Sequence, residues 1–163
     1  MDEGKIKIGV ISDTHLTRPN EKLKKILDEQ FKDVSLILHA GDLVDLSVLA
    51  IFGDNEVKAV SGNMDHPSVK EKLPEQLIFE IKGFKLGLIH GWGAPSGLER
   101  KLLDRLGKVD CIVYGHTHKP VNRIIDSVFY FNPGSAVDKR FAASRTVGIL
   151  EIDKGISGRI INI

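Results

Sequence analysis

The chain has 163 residues, 42% of them hydrophobic and 28% charged, the composition of an ordinary globular protein and enough for a single domain, 1–163, around one core. A formal net charge of +1, with no run of Lys or Arg longer than two, excludes a strongly basic nucleic-acid surface, so any attraction for anions must be local. The lone Cys111 cannot form an intrachain disulfide, and neither the opening Met1-Asp2-Glu3-Gly4-Lys5 nor any apolar run suggests a signal peptide or membrane span, so a cytoplasmic protein is expected.

Lys5-Ile6-Lys7-Ile8 alternates charged and apolar residues and then turns mostly apolar, as in a strand entering a sheet from its wet end, and it stops at Ser12-Asp13-Thr14-His15. Asn20 is placed to cap a helix whose Leu23, Ile26, Leu27 and Phe31 share one face. The run Leu36 to Ala40 is the second strand, and Gly41 then lets the backbone turn so that Asp42 emerges at its carboxyl end. A short helical segment, Ser47 to Phe52, precedes a third strand, Val57 to Ser61, which ends in Gly62-Asn63-Met64-Asp65-His66. Pro67 suits the first turn of another short helix, which Pro74 stops. Leu77 to Ile81 and Phe84 to Ile89, joined by Lys82-Gly83, read as an antiparallel hairpin. Ser96-Gly97-Leu98-Glu99 is a capping-box pattern ahead of a helix with Leu98, Leu102, Leu103 and Leu106 in its core stripe and Gly107 as its stop. Cys111 to Tyr114 is a further strand, in which the cysteine reads as a small buried side chain. Val121 to Ile125 with Val128 to Phe131, and Thr146 to Ile152 with Ile156 to Ile163, complete two more hairpins. Strands alternating with helices first and hairpins later predict two mixed sheets packed together with helices outside.

Five of the apolar runs deliver Asp, Asn or His to their carboxyl ends, where open α/β sheets place their chemistry. Asp13, His15, Asp42, Asn63, His90, His116 and His118 are oxygen and imidazole donors, the set that first-row ions such as Mn, Fe, Ni or Zn accept. Seven donors exceed the needs of one such ion. They suit two ions about 3.5 to 4 Å apart that share a carboxylate and a hydroxide, an arrangement used in phosphate-ester hydrolysis. Asp42, with two oxygens on a middle strand, is the expected bridge. Two divalent ions bring +4 against −3 from two aspartates and a hydroxide, so roughly one positive charge is left to attract a phosphate.

Asp13-Thr14-His15, Gly41-Asp42-Leu43-Val44-Asp45, Gly62-Asn63-Met64-Asp65, Ile89-His90-Gly91 and Gly115-His116-Thr117-His118 resemble, in order, the five motifs of calcineurin-like metallophosphoesterases. Asn132-Pro133-Gly134-Ser135 is similar to a loop of the small bacterial and archaeal phosphodiesterase branch. The resemblance implies an α/β fold, a four-layer α/β/β/α sandwich with two mixed β-sheets. It implies one metal site of Asp13, His15, Asp42 and His118 and a second of Asp42, Asn63, His90 and His116, with a bridging hydroxide attacking phosphorus in line. Asp42, Asn63 and His116 would then carry the catalysis. Two divalent ions are the expected cofactors, manganese first, with nickel, iron or zinc as substitutes. Asp45 is expected as a hydrogen-bond acceptor behind the ligands.

The sequence departs from the family pattern twice. Met64 stands where many members have a histidine, and a thioether cannot transfer a proton; His66 is the candidate to reach in from two residues later. Trp92 stands where close relatives often carry a second histidine, and it is read either as a flank for substrate or as packing. His39 is expected to be a core residue or a support behind the ligands, and Asp65 to hold a neighbouring loop or histidine.

The predicted function is phosphoester hydrolysis, with diesters preferred over monoesters because Met64 penalises poor leaving groups. The expected partner is a phosphate-ester substrate, with nucleic acid only as a substrate, no membrane, and homo-oligomerisation left open. The competing reading is an interaction scaffold of the same fold resembling the retromer subunit, but such scaffolds typically break the ligand set, which is whole here. A receiver-like domain built on Asp13 or Asp42 would not need clustered imidazoles.

Overall fold

Residues that are apolar on both sides of a strand need cover on both faces, and the middle strands obtain it from a facing sheet on one side and helices on the other. The structure, a computed structural model, describes residues 4–137 and 143–163; the opening residues 1–3, part of the segment read for a signal peptide, lie outside the described residues. One sheet has β1 (Ile6–Ile11), β2 (Leu36–His39) and β3 (Val57–Ala59) in parallel. Beside β1 it adds β9 (Thr146–Ile152), antiparallel, and then β10 (Ile156–Asn162), for the order β10-β9-β1-β2-β3. The second sheet is built from β4 (Gln76–Ile81), β5 (Phe84–Ile89), β6 (Cys111–Val113), β7 (Val121–Ile125) and β8 (Val128–Asn132), ordered β4-β5-β6-β8-β7. Its three inner strands are parallel and its two edges antiparallel. Both five-stranded sheets are therefore mixed, as expected.

Alternation along the strands sorts the core into three seams. Ile8 and Val10 of β1, Leu36 and Leu38 of β2, Leu86 and Leu88 of β5, Cys111 and Val113 of β6, and Phe129 and Phe131 of β8 meet between the sheets. The intervening Ile11 and Ile37 face outward, under Leu23 and Leu27 of α1 (Glu21–Gln30) and Phe52 of the 3₁₀ helix Leu46–Phe52. On the far side Ile89, Ile112 and Tyr130 pack under Leu98, Leu102 and Leu106 of α3 (Leu98–Leu106). The result is the four-layer order of helix, sheet, sheet, helix, with Cys111 buried as its apolar run implied. Burial also pushes its thiol pKa up, away from reactivity.

Asn20 caps α1 as predicted, its Oδ1 accepting from the Leu23 amide at 2.9 Å. The capping box at α3 does not form. The cap position is Gly97, in a left-handed conformation (φ 70°) with no side-chain bond to the helix. Glu99 is instead drawn to the sheet, where it accepts from Tyr114 Oη at 3.1 Å and Arg123 Nη2 at 2.9 Å. Two charge-assisted partners outweigh a reach back to an exposed helix end.

Candidate metal centre

β1, β2 and β3 run parallel in one sheet and β5 and β6 in the other, and the residues that follow their carboxyl ends meet at one edge of the sandwich. Backbone pairing continues beyond β1 and β2: Asp13 donates its amide to Gly41 O, His15 to Asp42 O, and Leu16 to Leu43 O, each at 3.0 Å. These bonds hold the first two motif loops side by side. Asp13, His15, Asp42, His116 and His118 all have positive φ, between 45° and 68°. A side chain in that region is uncommon and is kept only where its surroundings impose it. Val44, at φ 81°, is less tolerant still, being β-branched.

What imposes this geometry is a set of groups behind the donors. The buried Asp65 carboxylate accepts from the backbone of both neighbouring loops: Oδ2 from Gly62 N at 2.7 Å and Asp42 N at 3.2 Å, and Oδ1 from Val44 N at 2.5 Å. The expectation that Asp65 holds a loop is met. Gly62 itself must lack a side chain, since a Cβ there would press into the Asp42 carboxylate and amide. On the other side, Ser135 Oγ donates to Asp13 O at 2.8 Å and Asn132 Nδ2 to Gly115 O at 2.9 Å, so the Asn132–Ser135 loop braces the first and last motifs. Ser12, which the sequence reading passed over, donates Oγ to Asp13 Oδ2, as does the His116 amide.

Asp13 Oδ1 is buried and accepts no hydrogen bond, yet the Nε2 atoms of His118, His15 and His90 stand 3.1, 3.6 and 3.9 Å from it. Asp42 Oδ1 is taken by the Met64 amide at 2.8 Å. Its Oδ2 faces His90 Nε2 at 3.1 Å and His15 Nε2 at 3.8 Å. Two groups of donors close enough to hold an ion result, Asp13 with His15 and His118, and Asp13 with Asp42 and His90. Asn63 Oδ1 lies 3.0 Å from His90 Nε2 and 3.3 Å from His116 Nδ1. All seven predicted donors thus stand in one continuous cluster.

Two histidines have their tautomers set by backbone carbonyls. His90 gives its Nδ1 proton to Ala40 O at 2.7 Å, so Nε2 is the ring nitrogen that faces the carboxylates. His116 gives Nε2–H to Gly93 O at 2.8 Å, leaving Nδ1 toward Asn63. A neutral imidazole with its other nitrogen so engaged is the form that binds metal. An acceptor with no hydrogen bond, ringed by such imidazoles, fits a divalent cation.

The electrostatics agree. Burial alone would raise the Asp13 carboxyl, but the close imidazoles of His118 and His15, the charge of His90 and the Ser12 bond outweigh that and hold it well below the usual range. Burial likewise opposes ionisation of Asp42, but the His90 bond, with the Met64 amide, lowers its pKa. For His90, burial disfavours the proton and the two aspartates reverse it, raising the pKa. His39 is fully buried and pushed down to about 3 by desolvation. It stays neutral, accepts from Gly41 N on Nδ1 at 3.1 Å and lies 3.1 Å from Thr14 Oγ1 through Nε2, a support for the turn and not a donor to the cluster.

Asp45 does not stand behind the ligands. It caps the 3₁₀ helix, with Oδ1 accepting from Ser47 N at 2.9 Å, because its extended backbone turns the side chain forward along the chain. His66 is exposed at the head of α2 (Pro67–Lys72), with its amide bonded to Val44 O. Met64 and Trp92 are both exposed beside the centre, at 59% and 41%.

The chain belongs to the calcineurin-like phosphoesterase superfamily, whose domain it matches over residues 6–155. It is 38% identical over 151 residues to a protein of Methanothermobacter thermautotrophicus named "Probable metallophosphoesterase", covering 90% of this chain and 86% of that one. It is 31% identical over 163 residues to "Phosphodiesterase MJ0936" of Methanocaldococcus jannaschii, covering 91% and 95% of the two chains. Vacuolar Protein Sorting 29 from Cryptosporidium parvum shares the fold at a TM-score of 0.76 and 22% identity, over 98% of this chain and 92% of that one. Among the described residues no helix is long and apolar enough to cross a membrane.

Proposed function

From membership of that superfamily, we propose that this protein is a dinuclear metal-dependent phosphodiesterase. The observation that carries the reading is the convergence of imidazole nitrogens on the Asp13 and Asp42 carboxylates, with Asp13 Oδ1 accepting no hydrogen bond. Asp13, His15, Asp42 and His118 would hold one ion and Asp42, Asn63, His90 and His116 the other, manganese being the first candidate. When bound, such ions supply a nucleophile at neutral pH and neutralise charge on the phosphoryl oxygens.

The chain's own groups do the remaining work. Met64 N–H fixes one oxygen of Asp42, so the other is aimed and not free to rotate. Ala40 and Gly93 carbonyls fix which ring nitrogen of His90 and of His116 faces the cluster before anything binds, which avoids reorganisation during reaction. Met64 offers no proton at the position beside Asn63, and His66 is exposed at the head of α2; on this reading a leaving group departs with little protonation by the protein. That favours diesters with good leaving groups over monoesters, and the likeness to a phosphodiesterase supports the same choice.

Metal analysis of protein purified without chelator tests the dinuclear reading. About two ions per chain are expected from the two-site arrangement, whereas a scaffold would hold little or none. Manganese-loaded protein should then cleave a phosphodiester faster than the matched monoester, and equal or better monoester turnover would overturn the preference. Asp42→Ala or His116→Ala should abolish turnover with the circular-dichroism spectrum retained.

A further inference from the structure

Beside the donor cluster a cleft of about 340 Å³ is lined by Asn63, His90, Lys70, Gln76, Trp92 and Arg105. Its volume is near the lower end for small-molecule sites, room for one compact organic group. Trp92 is the only tryptophan of the chain. Of the four large hydrophobic side chains exposed among the described residues, Met64, Ile78, Trp92 and Ile124, Trp92 alone lines this cleft. Lys70 Nζ bonds Asn63 O at 3.2 Å, which sets a cation at the end nearest the donor cluster. On the same cleft wall Arg105 gives Nε–H to Gln76 Oε1 at 3.0 Å and Nη2 to Glu75 Oε2 at 3.4 Å. That arrangement leaves further guanidinium N–H groups and the Gln76 amide nitrogen as donors.

We propose that this cleft binds the organic substituent of the ester, and that the substituent is a nucleoside whose base stacks on Trp92 while its polar edge meets Gln76 and Arg105. An aryl or alkyl group without acceptors would gain the contact with Trp92 but none of those hydrogen bonds. A nucleobase offers both a π-face and acceptors. The substrate class is then a mononucleoside phosphodiester. The inference rests on the phosphodiesterase reading, since it takes the reacting phosphorus to lie at the Asn63–His90 end.

Two p-nitrophenyl diesters with the same leaving group test it, thymidine 5′-(p-nitrophenyl phosphate) and methyl p-nitrophenyl phosphate. The native protein should prefer the nucleoside ester through a lower KM, and Trp92→Ala should cut that preference roughly tenfold, the size of one base–aromatic stack, with the loss in KM and not in kcat. An unchanged preference overturns the proposal. The second readout needs no turnover: Trp92 emission should change saturably on titration with thymidine 5′-monophosphate and not with inorganic phosphate, and Arg105→Ala should weaken the response. A protein that cleaves neither ester but gives the nucleotide-specific emission change would refute the phosphodiesterase reading and keep the cleft's assignment. Cleavage of both esters without any emission change would do the reverse.

Discussion

Replacing Asp65 by Ala removes a single acceptor group that ties three backbone amides, those of Asp42, Val44 and Gly62. Asp65 is only 5% exposed, so water cannot readily replace it. Each buried donor left without a partner costs about 1–3 kcal/mol, and three together about 3–6 kcal/mol allowing for partial relaxation. For a chain of this size that corresponds to a fall in Tm of roughly 10–20 °C. The measurement is thermal unfolding in excess chelator, so that bound metal does not mask the loss. Asp65→Asn keeps one oxygen and should lie between the native protein and the Ala variant. Because this constraint helps hold Asp42 and Val44 at positive φ, manganese titration by calorimetry should also show weaker binding by both variants. An Asp65→Ala protein melting within about 2 °C of the native one, less than a single lost bond predicts, would refute the argument; so would one that is destabilised but binds manganese unchanged.

Asn20→Ala should cost about 1 kcal/mol, or a few degrees of Tm, because its Oδ1 caps α1. Ser96→Ala should leave Tm unchanged, since Gly97 occupies the cap of α3, and a loss equal to that at Asn20 would restore the capping box. In metal-free protein, Asp13 and Asp42 have lowered pKa values, so the stability they contribute is present above their unfolded value near 4 and is lost as pH falls below it. His39, held neutral, acts in the same direction from about pH 6.5 downward, because the unfolded imidazole takes a proton that the folded one refuses. His90, with a raised pKa, contributes fully below about 6.5 and loses its contribution as pH rises through its folded value. Urea midpoints in chelator should therefore fall on both sides of neutrality, and a midpoint that climbs steadily toward acid would contradict the assignment. Met64→His should raise monoester kcat at least tenfold if the missing proton donor is what disfavours monoesters; an unchanged ratio of mono- to diester turnover would dismiss that explanation.

The strands could be read because Ile8 to Ile11, Leu36 to Ala40 and Cys111 to Tyr114 are apolar on both faces, a pattern that only an inner strand between two layers satisfies. Strand order was not legible. Nothing local in Thr146 to Ile152 says that it returns beside β1, a pairing between residues more than 130 apart in sequence that depends on the whole sandwich closing. The donors were legible for a different reason: carboxylates and imidazoles at the tips of buried strands have no packing role to explain them. Of their supports only Asp65 was read as holding a loop; the bonds of Ser12 to the Asp13 carboxylate and of Asn132 to Gly115 O were not, because those partners come within reach only once the loops have met. The same limit misplaced Asp45 and the capping box. In both, a side chain with a plausible local role was claimed by a neighbour, Ser47 N for Asp45 and the Tyr114–Arg123 pair for Glu99.

The donor cluster straddles the sandwich. Asp13, His15, Asp42 and Asn63 follow strands of one sheet, and His90, His116 and His118 follow strands of the other. Any ion held by both sets is a clamp across the seam between the sheets, at the edge where the apolar core ends. Binding that occurs only in the closed form adds its free energy to that form, about 2.7 kcal/mol at a hundredfold excess over Kd. The metal supply would then govern how readily the two halves part, and a chelator would loosen the sandwich as well as silence it.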